Sequence, residues 1–157
     1  MKEWDDSDVQ NRWALYLRCD PIALAVLDSA SRTAAHGSCI QTRHLAASLF
    51  SEVPNLTDTL SLSPTQVHSI LTELSALPLE LYHPPLPSTV DLYRLSNESK
   101  RVFAYGCEEA SKRSPPLTLW TISAQDILIG LLTEHTLSIC RVLQKYGLDV
   151  DRVRRAS

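Results

Sequence analysis

The side chains able to carry chemistry are few and scattered. His36 and His44 stand on either side of a proposed helix start with no cysteine at ligand spacing, which is a poor metal pair. His44 is expected to hydrogen-bond its own helix start, and His68, His83 and His135 to face solvent. Cys19, Cys39, Cys107 and Cys140 lie far apart and form no C-x-x-C pair, so neither a zinc site nor a thioredoxin-like centre is signalled. Four small buried core residues in a reducing cytoplasm are expected instead. Glu108 and Glu109 adjoin each other on a helix and point in different directions, unlike an acid/base pair. None of Gly37, Gly106, Gly130 and Gly147 begins a G-x-x-x-x-G-K-[ST] phosphate loop, and G-x-S-x-G, H-E-x-x-H and H-x-E with P-C-x-x-C are all missing. The expectation is no enzyme, no catalytic residue, no metal and no cofactor.

Composition sets the same bounds. With 157 residues, 44% hydrophobic and 21% charged, the chain is long enough to bury one sizeable core as a soluble domain. A net charge of -3 supplies no general attraction to nucleic acid or anionic lipid. Met1 to Asp8 is acidic where a signal peptide is basic, and no apolar run approaches the roughly 20 residues of a membrane-spanning helix. A cytoplasmic protein with no nucleic-acid and no membrane partner is expected.

The elements that position these side chains are helices, because apolar residues recur at three- and four-residue steps and strict alternation is rare. Asp20-Pro21 reads as an N-cap followed by proline at the first helical position, with Ala23, Val26, Leu27, Ala30 and Ala34 along one face. Ser99, Val102, Phe103, Gly106 and Ala110 repeat those spacings 76 positions later (Ser99 against Ala23). Ile40, Thr42, His44, Leu45, Leu49 and Phe50 are matched by Ile122, Ala124, Asp126, Ile127, Leu131 and Leu132, 82 positions on (Ile122 against Ile40). Leu62 to Val67 has the outline of Leu148 to Val153.

The predicted fold is therefore all-α, with two pseudo-symmetric repeats of about four short helices each. Repeat one covers 20–77, a proline-marked strap 78–95, and repeat two 96–157, so that 20–157 is one double-repeat domain. Residues 1–19 hold an extra flanking helix, roughly Ser7 to Cys19. Val26 with Val102, and Leu45 with Ile127, should be buried in both halves. Thr42 is expected to cap its helix, and Ser123 the equivalent one. Gly130 implies close approach of another helix, since glycine there costs roughly 1 kcal/mol of propensity. Arg152, Arg154 and Arg155 read as a frayed, solvated tail.

These residues resemble the N-terminal domain, or Clp repeat domain, of the Clp-type AAA+ unfoldases. That family carries two copies of a unit in which a helix ends near His-Gly or Gly-His, followed by Ile or Val, a Thr-Glu-His-Leu-Leu helix start and a closing Gly-Val-Asp turn. The first copy here reads Ala34-Ala35-His36-Gly37-Ser38-Cys39-Ile40-Gln41-Thr42-Arg43-His44-Leu45, and the second closes with Tyr146-Gly147-Leu148-Asp149-Val150-Asp151. The resemblance implies a stand-alone, non-catalytic protein-binding module, an accessory or adaptor-like protein of a Clp chaperone-protease system that docks substrates, adaptors or protease subunits. In some members the glutamate of each Thr-Glu-His-Leu motif binds the guanidinium of a phosphorylated arginine. Arg43 and Gln125 hold those positions here; arginine repels a guanidinium, and glutamine offers a neutral amide.

The expected partner-binding residues are Arg43, Trp120 and Gln125. The loop Ser114 to Thr121 is longer than its counterpart and carries Pro115-Pro116 and Trp120, an aromatic of the kind enriched at interaction hot spots. With Gln125 it is expected to form a docking edge, while Arg43 selects an acidic or anionic group. Three alternatives stay open: Trp120 folding back over the core, a regulatory domain that binds a small anion through Arg43, and an enzyme with a cleft between the repeats.

Overall fold

The computed structural model describes residues 18–34, 39–78, 95–115 and 120–156. The flanking helix expected over Ser7 to Cys19 and the strap over 78–95 lie almost wholly outside the described residues, as do His36, His83 and 116–119 of the Ser114–Thr121 loop. Eight helices run through the described residues: α1 (Pro21–Thr33), α2 (Thr42–Glu52), α3 (Pro54–Thr59), α4 (Pro64–Ser75), α5 (Asn97–Arg113), α6 (Ala124–Thr133), α7 (Ser138–Lys145) and α8 (Val150–Arg155). The first four make one half and the last four its pseudo-symmetric counterpart.

The helix starts are written locally, and they repeat. Asp20 accepts a bond from the Ala23 N–H at 2.8 Å with Pro21 at the first helical position, and 76 positions on (Ser96 against Asp20) Ser96 accepts from the Ser99 N–H at 3.1 Å. Ser63 and Asp149 do the same for α4 and α8, accepting from the Gln66 and Arg152 N–H groups at 3.1 and 2.7 Å. Each cap satisfies one of the four amides that a helix start leaves without an internal acceptor. The residue that reverses the chain before these last caps is also paired: Ser61 and Gly147 adopt left-handed backbone, with φ of 58° and 81°.

The cap of α2 is not where the sequence placed it. Thr42 is buried one position inside the helix, and Gln41 is the N-cap residue. His44, three positions on, reaches back so that its Nδ1 accepts from the Gln41 N–H at 3.0 Å. This bond fixes Gln41 rather than Thr42 as the last extended residue. The second half follows the expected scheme. Ser123 accepts from the Asp126 N–H at 3.2 Å, and Asp126 Oδ2 accepts from the Ser123 N–H at 2.9 Å.

One apolar core joins the halves. Val26, Leu45, Val102 and Ile127 are all fully buried, as the repeat requires, and each such side chain contributes roughly 1.5–3 kcal/mol of transfer free energy. The helix pair with the most extensive contact is α5 with α6. A Cβ on Gly106 would sit 3.2 Å from the Asp126 carbonyl oxygen, and one on Gly130 would stand 3.1 Å from the Val102 Cγ1 and even nearer to the Val102 carbonyl oxygen. The close approach expected at Gly130 is thus made by α5.

The halves also exchange short extended segments reciprocally. Cys19 bridges in parallel to Ile122, and Leu95 to Ile40; the Asp20 N–H donates to the Ile122 carbonyl and the Ser96 N–H to the Ile40 carbonyl, both at 2.9 Å. Each half thereby supplies the segment that orders the other half's second helix start.

The end of the chain is anchored rather than frayed. Arg154 grips both carboxylate oxygens of Glu109 at 2.7 and 2.9 Å, and Arg152 donates to the Gly147 carbonyl at 3.0 Å and to the Leu60 carbonyl of the other half. The expected solvated tail holds only for the exposed Arg155.

Candidate docking hollows

Among the described residues no three His, Cys, Asp or Glu side chains converge as a metal cluster would. Among them, one thiol has an imidazole beside it: the Cys140 Sγ and the His135 Nδ1 stand 3.9 Å apart. Cys140 is buried, and burial, then Glu134, pushes its thiol above the usual range. Such a thiol stays protonated, the opposite of what nucleophilic catalysis needs. Burial pushes the Cys19 thiol up to about 12, with Cys107 and Asp20 adding to the effect. Cys39 is buried as well, while Cys107 is half-exposed and departs from the expectation of four buried core cysteines.

Two hollows lie at equivalent places in the two halves. The first, about 230 Å3, is walled by Thr42, Arg43, Leu77, Glu98, Arg101 and Leu137. The second, about 290 Å3, is walled by Ile22, Val53, Leu56, Ala124, Gln125 and Ala156. Arg43 corresponds to Gln125 and Thr42 to Ala124, 82 positions apart, while Glu98 corresponds to Ile22, 76 positions apart. Each hollow takes residues from both halves, because each sits where the start of α2 or α6 meets the other half.

Their chemistry has diverged. In the first hollow Arg101 donates through Nε to Glu134 at 3.1 Å and lies 4.0 Å from Glu98, and Thr136 donates to the other Glu134 oxygen at 2.9 Å. Arg43 donates to the Leu77 carbonyl at 3.2 Å, and among the described residues no carboxylate pairs with it. Its charge reaches the next residue: burial, then the Arg43 guanidinium, holds His44 below the usual imidazole value. In the second hollow Gln125 makes a longer bond to the Val153 carbonyl at 3.4 Å, and Ile22, 52% exposed, stands on the rim as the one exposed large hydrophobic among the described residues.

The three residues singled out from sequence are therefore not gathered in one place. Arg43 and Gln125 occupy the two separate hollows, and Trp120 lines neither. Trp120 is half-buried against the core, with the Arg18 guanidinium 4.4 Å from its ring centroid. Sequence reasoning missed Glu98, Arg101 and Ile22. The i,i+3 spacing of Glu98 and Arg101 was visible, but Glu134 lies 33 positions beyond Arg101 and nothing local announces it. Ile22 carried a weaker signal, as a large apolar residue off the buried face of α1.

A third hollow, about 530 Å3, lies beside Lys112, Arg113 and Arg154. Its arginines are already engaged: Arg113 holds the fully buried Asp126 and Arg154 holds Glu109, so this face is structural. Among the described residues no helix is long and apolar enough to cross a membrane.

Against known proteins, no family model matches the sequence, and no curated protein does. Solved structures do match the fold. The Hsp104 N-terminal domain from Candida albicans superposes with a TM-score of 0.61 at 17% identity, covering 88% of this chain and 87% of that one. The N-terminal domain of the caseinolytic protease associated chaperone ClpD from Arabidopsis thaliana gives 0.60 at 18% identity, covering 90% and 93%. The chain has the fold of the Clp N-terminal domains.

Proposed function

We propose that this chain is a non-catalytic protein-binding module, an accessory of a Clp chaperone-protease system that docks a chaperone or protease component, or a client peptide, in the cytoplasm. The observation that carries it is the pair of equivalent surface hollows, each built from both halves. They offer side-chain-sized recesses, and among the described residues no metal cluster. The fold supports the choice of partner class, since it is shared with domains of Hsp104 and of a protease-associated chaperone. Residues 20–157 act as one unit, because each hollow needs both repeats.

Arg43 and Gln125 are the contact residues of the two hollows. Trp120, stacked beneath Arg18 and half-buried, adds a separate contact surface outside the two hollows. Half-buried aromatics with a fixed orientation lose little entropy on binding, which is why such rings anchor interfaces.

The test is calorimetric titration of the full chain with purified Clp chaperone and peptidase subunits from its source organism. Binding by one of them that weakens with Arg43→Glu and with Gln125→Glu is expected. No heat with any subunit, together with no binding of unfolded client peptides, would overturn the proposal.

A further inference from the structure

We infer that the Arg43 hollow is a peptide-binding subsite selective for a carboxylate side chain, so that the two hollows read different residues of a partner. This rests on the protein-binding role proposed above and names the chemistry of one of its contacts.

Charge and hydrogen-bonding capacity lead there together. Arg43 and Arg101 are the cations that line the hollow and Glu98 its carboxylate, with Glu134 held by Arg101 and Thr136. Arg101 is committed to both glutamates, which leaves Arg43 as the uncommitted cation. A single bond to the Leu77 carbonyl steadies its guanidinium and leaves most of the five N–H donors available. The first turns of α2 and α7 line the same space. Leu137, the N-cap of α7, has no side-chain acceptor to offer the amides there, so the positive end of that helix adds to the attraction.

The same wall has an acceptor in need of a donor. Glu98 Oε2 is buried with no hydrogen-bond partner, a costly state for a carboxylate oxygen. A peptide bearing an acidic side chain brings both complements, a carboxylate for Arg43 and, once the Glu98 carboxyl turns its buried oxygen toward the hollow, a backbone N–H for Glu98. A free inorganic anion brings only the first. A dianionic phosphate would meet the Glu98 carboxylate with one uncommitted guanidinium to hold it, whereas a monoanionic carboxylate matches that single cation.

The fold does not impose this chemistry. At the equivalent positions of the second hollow stand Gln125 for Arg43 and Ile22 for Glu98, and the overall charge of the chain is -3. A cation with no carboxylate partner among the described residues, in only one of two equivalent recesses, is matched to something outside the chain.

The test follows the backbone amide resonances of the isotope-labelled full chain during titration with blocked Ala-Glu-Ala, Ala-Gln-Ala and Ala-Lys-Ala tripeptides, with acetate, and with inorganic phosphate. The glutamate peptide is expected to shift Thr42, Arg43, Ser138 and Ile139 and to bind about tenfold more tightly than the glutamine peptide, as loss of a charge-assisted pair implies. Arg43→Gln should abolish that preference without altering the amide spectrum elsewhere. Equal binding of the glutamate and glutamine peptides, a preference that survives Arg43→Gln, or equally tight binding of acetate or phosphate at these resonances would overturn the inference. The docking proposal is judged separately by the Clp titration, so either can fail alone.

Discussion

Gly130 lies so close to the Val102 carbonyl oxygen that no side chain fits between α6 and α5. A Cβ there would also stand 3.1 Å from both the carbonyl carbon and Cγ1 of Val102, atoms held by backbone and by a fully packed core. Exchanging a mid-helix glycine for alanine normally gains about 1 kcal/mol of propensity. Gly130→Ala is instead expected to destabilise the protein by about 2 kcal/mol, since overpacking a rigid core costs about 1–3 kcal/mol. Urea denaturation measures it; a stabilised variant would mean that the helices can part without cost.

The His44 cap makes stability depend on mildly acid pH. Neutral Nδ1 accepts from the Gln41 N–H, and a protonated ring cannot. The folded-state value lies below the usual 6.5, through burial and then Arg43. The contribution is therefore complete above 6.5 and is lost as the pH falls through the lower folded value. His44→Gln should keep the cap, because Gln66 plays this role in α4, accepting from the Ser63 N–H at 2.9 Å. Wild type should lose about 1 kcal/mol relative to the variant between about pH 7.5 and about pH 5. Parallel denaturation profiles for the two proteins would show that the cap does not titrate.

Thiol reactivity should be sharply uneven. Only Cys107 is partly exposed, and the Cys19 thiol, pushed up to about 12, is overwhelmingly protonated at pH 8 or so. Ellman's reagent added to the native protein should label Cys107 first, with Cys19, Cys39 and Cys140 reacting only after denaturant is added. Rapid native labelling of Cys19 would contradict its burial beside the Ile122 bridge.

Ser61 pays for a conformation that its counterpart Gly147 adopts without strain. Left-handed backbone costs a non-glycine residue roughly 1–2 kcal/mol, part of which glycine returns as lost chain entropy. Ser61→Gly should raise stability by about 0.5–1 kcal/mol and leave partner binding unchanged, because the side chain is exposed and the turn bond from its N–H to Asp58, 3.0 Å, is retained. Thermal unfolding decides; a lower melting temperature would show that the hydroxyl has a structural role.

Trp120→Ala should weaken binding of a Clp component by about 2 kcal/mol, the scale of an interface hot spot. Because the ring also packs on the core beneath Arg18, the melting temperature will fall too, and the two effects must be separated. Arg18→Ala serves as the control: it removes the stacked cation and leaves the ring. A Trp120→Ala protein that captures its partner with undiminished affinity would confine the tryptophan to packing.

Much of this architecture is legible in the sequence because it is written in short-range signals. Asp20-Pro21, Ser63-Pro64 and Ser123 announce their helices within four residues, and the shared spacing of Val26 and Val102 places both in the core. Gly130 betrays a close helix approach by its cost alone. What escaped the sequence depends on long-range closure. The Arg154–Glu109 grip spans 45 positions and made a folded helix look like a charged tail. Thr42 looked like a cap because threonine is a good one; that it is not depends on which side chain, three residues on, turns back. The site suffered most, since Arg43, Glu98, Arg101 and Glu134 meet only after both halves have packed.

The reciprocal bridges, Cys19 to Ile122 and Leu95 to Ile40, give a single chain the geometry of an isologous homodimer. In a true homodimer both recesses are encoded once, and any substitution changes the two together. Covalent fusion removes that constraint. Each recess here has its own codons, so a charge can be introduced at Arg43 while Gln125 stays neutral, and an isoleucine can be exposed at one rim while a partly buried glutamate stands at the other. The fused pair can therefore bind an asymmetric, directional ligand in one orientation, which a twofold-symmetric dimer would accept equally in two.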